Sequence, residues 1–159
     1  MEVYFELNDH EKELTRWLAQ RRCEEIKRAN FGLITNESKY LDDIGAEVSA
    51  ASRFNVFPNL NHFRFDYDIV INQMKFNIKR CDPVYENMTS DKFLSDINYL
   101  LMVGVFPSYK FGGWVKGKIA VENGKWVKNG AFLLLTKNYL NPIETLIGGM
   151  DDEEQKRSE

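Results

Sequence analysis

A nearly continuous apolar run constrains the fold of this chain more than any other feature. It extends from Asn98 to Phe106 and is closed by Pro107. Such a run predicts a strand that is buried on both faces. The chain has 159 residues, which suits one domain, and we expect that domain at residues 1–147. The sequence contains no stretch of about 18 apolar residues, which a transmembrane helix needs, so we expect no membrane partner.

Two helices are expected before this strand. Asn8 has the character of an N-cap, and apolar residues recur at helical spacing from there to about residue 29. Arg22 lies on the charged far face of this helix, which is either a solvent-exposed surface or a contact with the DNA backbone. A second helix is predicted over residues 39–53. Gly45 and nearby alanines would let this helix lie close to a neighbour. Glu47 shares a face with apolar residues, where a carboxylate is costly unless another group pairs with it.

A β-hairpin is predicted over residues 63–80. Apolar and polar residues alternate along 63–71 and again along 74–80, and Asn72-Gln73 between them makes a tight turn. The alternation on the second strand directs Asn77 and Lys79 to one face. There they would meet Asp68 from the first strand.

The remaining pattern predicts short elements. Residues 3–7 alternate as a short strand, and 82–97 are predicted as a loop with at most a short helix. Residues 114–121 are predicted as a strand that carries Lys116 and Lys118, and 131–136 as another strand. A final helical turn is expected at 139–147.

The net charge of −3 is explained by the end of the chain. Residues 150–159 contain five acidic and two basic side chains, so the rest of the chain is neutral. We expect 148–159 to form a disordered acidic tail. A neutral body neither implies nor forbids an anionic ligand. The first residues lack the pattern of a signal peptide, so we expect a cytoplasmic location.

Several classes of site are excluded by composition. Cys23 and Cys81 stand far apart, the two histidines are isolated, and no zinc-binding spacing is present. No Ser–His–Asp arrangement is indicated. Hydrolytic chemistry would therefore have to use carboxylates, a lysine and a metal ion.

Such a set is available in Glu47, Asp68, Asn77 and Lys79. Two or three oxygen ligands that converge beside an ammonium group form a site for Mg²⁺, or Mn²⁺, and a phosphate. Asp68, Asn77 and Glu47 would hold the metal, and Lys79 would stabilise negative charge on the phosphate. By spacing alone, an amphipathic hairpin with a polar outer face explains the same residues.

The order of these elements resembles the PD-(D/E)xK nuclease superfamily, and more closely its small phage-type members. The resemblance covers about residues 1–147. It is carried by Asp43-Ile44-Gly45-Ala46-Glu47, by segments 55–58 and 65–72, and by Lys75-Phe76-Asn77-Ile78-Lys79, with weaker similarity at 98–101, 113–117 and 140–146.

This resemblance implies a fold and an activity. The expected fold is α/β (α+β), a mixed central sheet with flanking helices, as in restriction endonucleases. The expected activity is divalent-metal-dependent cleavage of DNA phosphodiesters, with DNA as partner. Carried over by residue, Glu47 is the helix acid, Asp68 the metal-holding aspartate and Lys79 the motif lysine. A homodimer is possible, since such folds often need one to cut both strands.

Asn77 departs from the family pattern, which has Asp or Glu two residues before the lysine. The loss of one negative charge should weaken Mg²⁺ binding. Three explanations stay open: a natural variant with weak or displaced ligation, a missing carboxylate supplied by Asp66, Asp82 or Glu86, or an inactivating change. A nuclease-fold protein that binds nucleic acid without cutting it, and a phage accessory protein that binds a host protein, are the alternative functions.

Further cations are candidates for contacting nucleic acid. Arg53 and Arg80 flank the expected site and would clamp phosphate, or form structural salt bridges. Lys116 and Lys118 belong to a lysine cluster that surrounds two tryptophans, a pattern typical of a surface that contacts the backbone and stacks on bases. The other members of this cluster are Lys110, Lys125, Lys128, Trp114 and Trp126.

Overall fold

The computed structural model describes residues 3–29, 37–59 and 67–146. The two long helices come first: α1 spans Asp9–Ala29 and α2 spans Glu37–Arg53. The strands are β1 (Phe5–Glu6), β2 (Ile69–Ile71), β3 (Met74–Cys81), β4 (Met88–Ser90), β5 (Asn98–Val105), β6 (Ser108–Val115), β7 (Lys125–Val127) and β8 (Phe132–Leu135). A short helix α3 (Gly117–Asn123) and a 3-10 helix (Lys137–Tyr139) complete the elements.

A mixed five-stranded sheet forms the centre of the fold. Its strand order is β1-β6-β5-β3-β2. Strands β3 and β5 are parallel, and the other neighbours are antiparallel. Helices flank this sheet, so the predicted α/β class with a mixed central sheet is confirmed, while its restriction-endonuclease-like arrangement stays a prediction. No helix within the described ranges is both long and apolar enough to cross a membrane.

The central strand β5 is buried on both sides, as its apolar run predicts. Leu100 and Met102 face a first core, which lies against α1 and α2. Leu101 and Val103 face a second core, to which α3 and the small sheet contribute. Because successive side chains of a strand point to opposite faces, one strand serves both cores.

The predicted caps and close helix packing are present. The backbone N–H of Asn8 donates to the Glu11 carboxylate at 2.8 Å, and the N–H of Glu11 donates to Asn8 Oδ1 at 2.9 Å, which is a reciprocal capping box. In α2, Gly45 lies directly against the ring of Tyr109. The Tyr109 hydroxyl donates to the carbonyl of Asp42 at 2.8 Å. A side chain at position 45 would displace this ring, so glycine sets the distance between α2 and the sheet.

The hairpin is confirmed in its turn and register. Ile71 pairs with Met74, and Asn72 and Gln73 between them have φ of 53° and 67°. Two left-handed residues in a two-residue connection match the right-handed twist of the strands. The observed first strand is β2, and residues 63–66 of the predicted strand lie outside the described residues.

The C-terminal half differs from the predicted pattern. The predicted strand over 114–121 is wrong, because β6 ends at Val115 and α3 begins at Gly117. A Cβ at Gly117 would collide with the carbonyl oxygens of Leu94 and Ile97, so the chain can turn there only with glycine. The turn directs Ala120 into the second core.

A second, three-stranded sheet has the order β4-β8-β7. Two of its strands were not predicted: β4 lies inside the predicted loop 82–97, and β7 follows the turn after α3. The predicted strand at 131–136 is confirmed as β8, and residues 143–146 form the expected helical turn. The predicted acidic tail, 148–159, lies outside the described residues.

Candidate active site

A cleft of ≈ 450 Å³ lies where α1, α2, β3 and β4 meet. Glu47, Asp68, Asn77 and Lys79 all line it. The structure therefore brings together the four side chains that the sequence proposed as one set. The cleft also receives side chains that the sequence did not assign to it, namely Arg22, Lys39, Tyr40, Asp43, Ile78, Arg80 and Thr89.

Asp68 is fixed by the hairpin register. Its backbone N–H donates to the Phe76 carbonyl at 2.8 Å, and its carboxylate accepts from the Ile78 N–H at 2.6 Å. The two bonds are to the residues before and after Asn77, so the carboxylate of Asp68 lies next to Asn77 on β3. Burial raises the pKa of Asp68, while the bond from Ile78 and the charge of Arg22 act in the opposite direction.

Glu47 enters the cleft from helix α2, across from the β3 side that holds Asn77 and Lys79. Its side chain is 12% exposed, and its Oε1 lies 3.4 Å from Nη1 of Arg22, which is 11% exposed. Burial, with the nearby charge of Asp68, raises the pKa of Glu47 to about 8, although Arg22 opposes the shift. The predicted solvent-exposed position of Arg22 is wrong. This side chain is the partner that a glutamate on a buried face requires.

Lys79 and Asn77 share the cleft face of β3. Burial lowers the pKa of Lys79, and the negative charge of Asp68 acts against that shift. The Lys79 ammonium lies 5.9 Å from the ring centre of Tyr99, on the neighbouring strand. Lys79 is therefore a largely desolvated cation beside the carboxylates of the cleft.

Asp43 is a cleft residue that sequence reasoning missed. It precedes Glu47 by one helical turn, and that i, i+4 spacing was the signal available in the sequence. Its carboxylate accepts from Nε of Arg80 at 2.8 Å. Arg80 also bonds Asp82 at 2.9 Å and the Gly104 carbonyl at 3.1 Å. Arg80 was expected either to clamp phosphate or to form structural salt bridges, and the structure contains the salt bridges.

The other predicted phosphate contacts do not line the cleft. The guanidinium of Arg53 lies 3.8 Å from the ring centre of Phe5. Lys116 immediately precedes α3 and Lys118 lies within it, both exposed. Their contact with nucleic acid stays a prediction, and their predicted place on a strand is wrong. The lysine cluster is also divided, because Lys110 is buried in an ion pair with Glu86.

No replacement carboxylate for Asn77 is found among the candidates that the structure describes. Asp82 pairs with Arg80, and Glu86 pairs with Lys110 at 2.8 Å; neither lines the cleft. Asp66 lies outside the described residues. Of the three carboxylates that line the cleft, Asp43 pairs with Arg80, and Glu47 and Asp68 share the cleft with the amide of Asn77.

These donors fit a magnesium ion only in part. In residues 3–29, 37–59 and 67–146, no three histidine, cysteine, aspartate or glutamate side chains are grouped so as to hold a metal. Mg²⁺ is commonly held by one or two carboxylates, with waters and substrate phosphates completing its coordination. Glu47, Asp68 and the amide oxygen of Asn77 satisfy that smaller requirement.

The charge of the cleft favours an anion. Its lining contains four basic and three acidic side chains, Arg22, Lys39, Lys79 and Arg80 against Asp43, Glu47 and Asp68. Arg80 and Asp43 pair with each other, which leaves a surplus of one positive charge. A partly enclosed, net positive cleft concentrates anionic ligands.

No protein-family model matches this chain, and a search of curated proteins finds no match. The function of this chain is therefore inferred from the geometry and the charges of the cleft.

Proposed function

We propose that this chain is a divalent-metal-dependent nuclease that hydrolyses DNA phosphodiester bonds. One observation carries the proposal: Glu47, Asp68, Asn77 and Lys79, which come from two walls of the fold, line the same cleft. The restriction-endonuclease-like fold is part of this proposal, and the mixed central sheet with flanking helices is compatible with it.

Each side chain has a defined part in this proposal. Glu47 and Asp68, with the amide oxygen of Asn77, would hold Mg²⁺ or Mn²⁺. A bound ion there would supply Lewis-acid chemistry, in that it would lower the pKa of a water ligand and polarise the phosphate. Lys79 stabilises the charge that develops on the phosphate oxygens, and its burial strengthens that interaction. Arg22 holds Glu47 in place through their contact at 3.4 Å.

The amide at position 77 supplies the sharpest test. Asn77→Asp and Asn77→Glu each replace the amide by a carboxylate at the same position of the cleft. We expect Mn²⁺ to bind at least tenfold more tightly to Asn77→Asp than to the wild type, because a hard cation gains a charged ligand. Calorimetric titration measures the affinity, and digestion of supercoiled and linear DNA measures the activity.

Asn72→Asp is the matched control. It makes the same change of charge at an exposed turn residue, and aspartate tolerates its left-handed φ of 53°. If the wild type and both Asn77 variants leave DNA intact, and neither variant binds Mn²⁺ more tightly than Asn72→Asp does, the proposal of a nuclease is wrong.

A second candidate function is favoured by Asn77 and Arg22. A cleft with an amide in place of a third acid, and with a buried guanidinium beside Glu47, suits a protein that binds nucleic acid without cutting it. Such a protein would bind DNA equally well with and without metal, and its affinity would fall steeply with salt. Binding measured in EDTA separates this candidate from the nuclease.

A further inference from the structure

The outer face of the small sheet is a mixed apolar and basic surface. We define the outer face as Thr89 of β4, Phe132 and Leu134 of β8, and Lys125 and Val127 of β7. Thr89 and Lys125 are both opposite Leu134, and Val127 is opposite Phe132. Directly opposite residues, and residues two apart on a strand, share one side of a sheet. These five side chains therefore lie together.

On the opposite side of this sheet, β4 and β8 face the core, while Trp126 of β7 is 59% exposed. Met88 and Leu135 are fully buried there, in the second core. The outer face is different: Thr89 and Lys125 are exposed, and Phe132, Leu134 and Val127 are only partly buried. The ammonium of Lys128 lies 5.7 Å from the ring centre of Phe132. None of the five outer-face residues is acidic.

The outer face is continuous with the cleft. Thr89 belongs to both, since it also lines the cleft beside Asn77 and Lys79. Lys125 is two strands away from Thr89, about 10 Å at the usual spacing of neighbouring strands. Successive phosphates rise by about 3.4 Å along one strand of a duplex, and an unpaired strand can extend further per nucleotide. A polynucleotide with one phosphate in the cleft would therefore reach Lys125 within a few nucleotides.

We propose that the outer face binds the single-stranded flank of the nucleic acid whose phosphodiester enters the cleft. The proposal rests on the proposed function and names the form of its substrate. Bases of an unpaired strand stack on Phe132 and on the apolar side chains beside it, while Lys125 and Lys128 contact phosphates. Stacking of this kind needs exposed bases, which a duplex does not offer.

The test uses the full chain, a fluorescein-labelled twelve-nucleotide thymidine strand and a labelled trinucleotide, in EDTA so that no cleavage occurs. The double variant Lys125→Ala/Lys128→Ala is compared with Lys27→Ala/Arg28→Ala, which removes two exposed charges from the last turn of α1. We expect the first variant to bind the long strand about tenfold more weakly, with a log–log salt slope smaller by about 1.4. Its affinity for the trinucleotide stays within twofold, and the control retains wild-type affinity for both.

A second variant tests stacking. Phe132→Leu keeps an apolar side chain on the sheet and removes the aromatic ring, and we expect the long strand to bind about fivefold more weakly. Urea denaturation checks that the variant is folded. Wild-type affinity in the double lysine variant, equal losses for both oligonucleotides, or tighter binding of a duplex than of the single strand would each overturn the proposal.

The outcome is separable from that of the proposed function. Cleavage is assayed independently, with Mg²⁺ and unlabelled DNA. A chain that needs Lys125 and Lys128 to hold the long strand but cuts nothing contradicts only the nuclease. A chain that cuts DNA while the lysine variants bind normally contradicts only the outer-face proposal.

Discussion

Two clusters of charged side chains in this protein are removed from water in different ways. On one side of the sheet, the ammonium of Lys110 in β6 donates to the carboxylate of Glu86 at 2.8 Å, a full hydrogen-bond contact. In the cleft, the carboxylates of Glu47 and Asp68 act on each other, and the guanidinium of Arg22 reaches Glu47 only at 3.4 Å. The first group is a completed ion pair, and the second is not.

The difference indicates what each group is for. In the cleft, burial raises the pKa of both Glu47 and Asp68 and lowers the pKa of Lys79. Folding therefore holds these side chains in a state that disfavours their ordinary charges. Such perturbed clusters are typical of functional sites, whereas a closed pair such as Lys110–Glu86 satisfies itself. Variants that change either the cleft carboxylates or the Lys110–Glu86 pair test this difference.

The largest effect is expected for Glu47→Gln. Folding raises the pKa of Glu47 from 4.5 to about 8, so the native state holds this proton more tightly than the unfolded state does. The stability that the proton provides is complete below pH 4.5 and is lost as pH rises toward 8. The wild type should lose on the order of 4 kcal/mol of its free energy of unfolding over this range. Glu47→Gln should not show this loss, because glutamine has no proton to release. Urea denaturation of the metal-free protein at several pH values measures the loss.

Glu122→Gln is the control for this series, because it makes the same change at an exposed position of α3. At pH 5 the wild type and both variants should have similar free energies of unfolding. At pH 8 only Glu47→Gln should be more stable than the wild type. A wild-type stability that rises from pH 5 to pH 8 as much as that of Glu47→Gln would remove the contrast between the cleft and the ion pair.

Lys110→Met should act in the opposite direction. The substitution leaves Glu86 without its closest cation, and removing one partner of a buried pair is destabilising. Because the Glu86 side chain is 31% exposed, water offsets part of the cost, and we expect a loss of about 2 kcal/mol at pH 7. Urea denaturation gives the value.

Lys137→Met provides the comparison, since Lys137 lies 3.9 Å from the same carboxylate but is 65% exposed. An exposed pair contributes little, so this variant should differ from the wild type by less than about 0.5 kcal/mol. Equal losses in the two variants would show that the Lys110 pair is no more structural than a surface contact.

The sequence predicted the cleft better than the periphery, and the reason is physical. The hairpin places Asp68, Asn77 and Lys79 by strand alternation, which a local pattern contains. Glu47 follows from helical spacing. Arg22 could not be found in this way: its own helix shows a charged face, and only the packing of α1 on α2 turns that side chain toward Glu47.

The small sheet was missed for a similar reason. Strands β4 and β7 have three residues each, too short for alternation to stand out, and their pairing depends on β8 more than forty residues from β4. At Gly117 the pattern of a strand continues locally, but in the fold α3 begins there, with Gly117 packed directly against the carbonyls of Leu94 and Ile97. Contacts between distant segments overrode local preference in each case.

The smallest effect concerns the turn that sets the register of Asp68 and Asn77. Gln73 adopts a left-handed φ of 67°, which costs a residue with a Cβ about 1 kcal/mol and costs glycine nothing. Glycine also gives the unfolded chain more freedom, so Gln73→Gly should stabilise the protein by only about 0.5 kcal/mol. Gln73→Ala removes the same polar group but keeps the Cβ, and it should give no gain. If the hairpin is a scaffold distinct from the cleft with its buried carboxylates, Gln73→Gly will raise the free energy of unfolding equally at pH 5 and pH 8, whereas Glu47→Gln acts only at the higher pH. A pH-dependent gain in Gln73→Gly would mean that the turn and the buried carboxylates are coupled, and the contrast between the closed ion pair and the perturbed carboxylates would then have to include the hairpin.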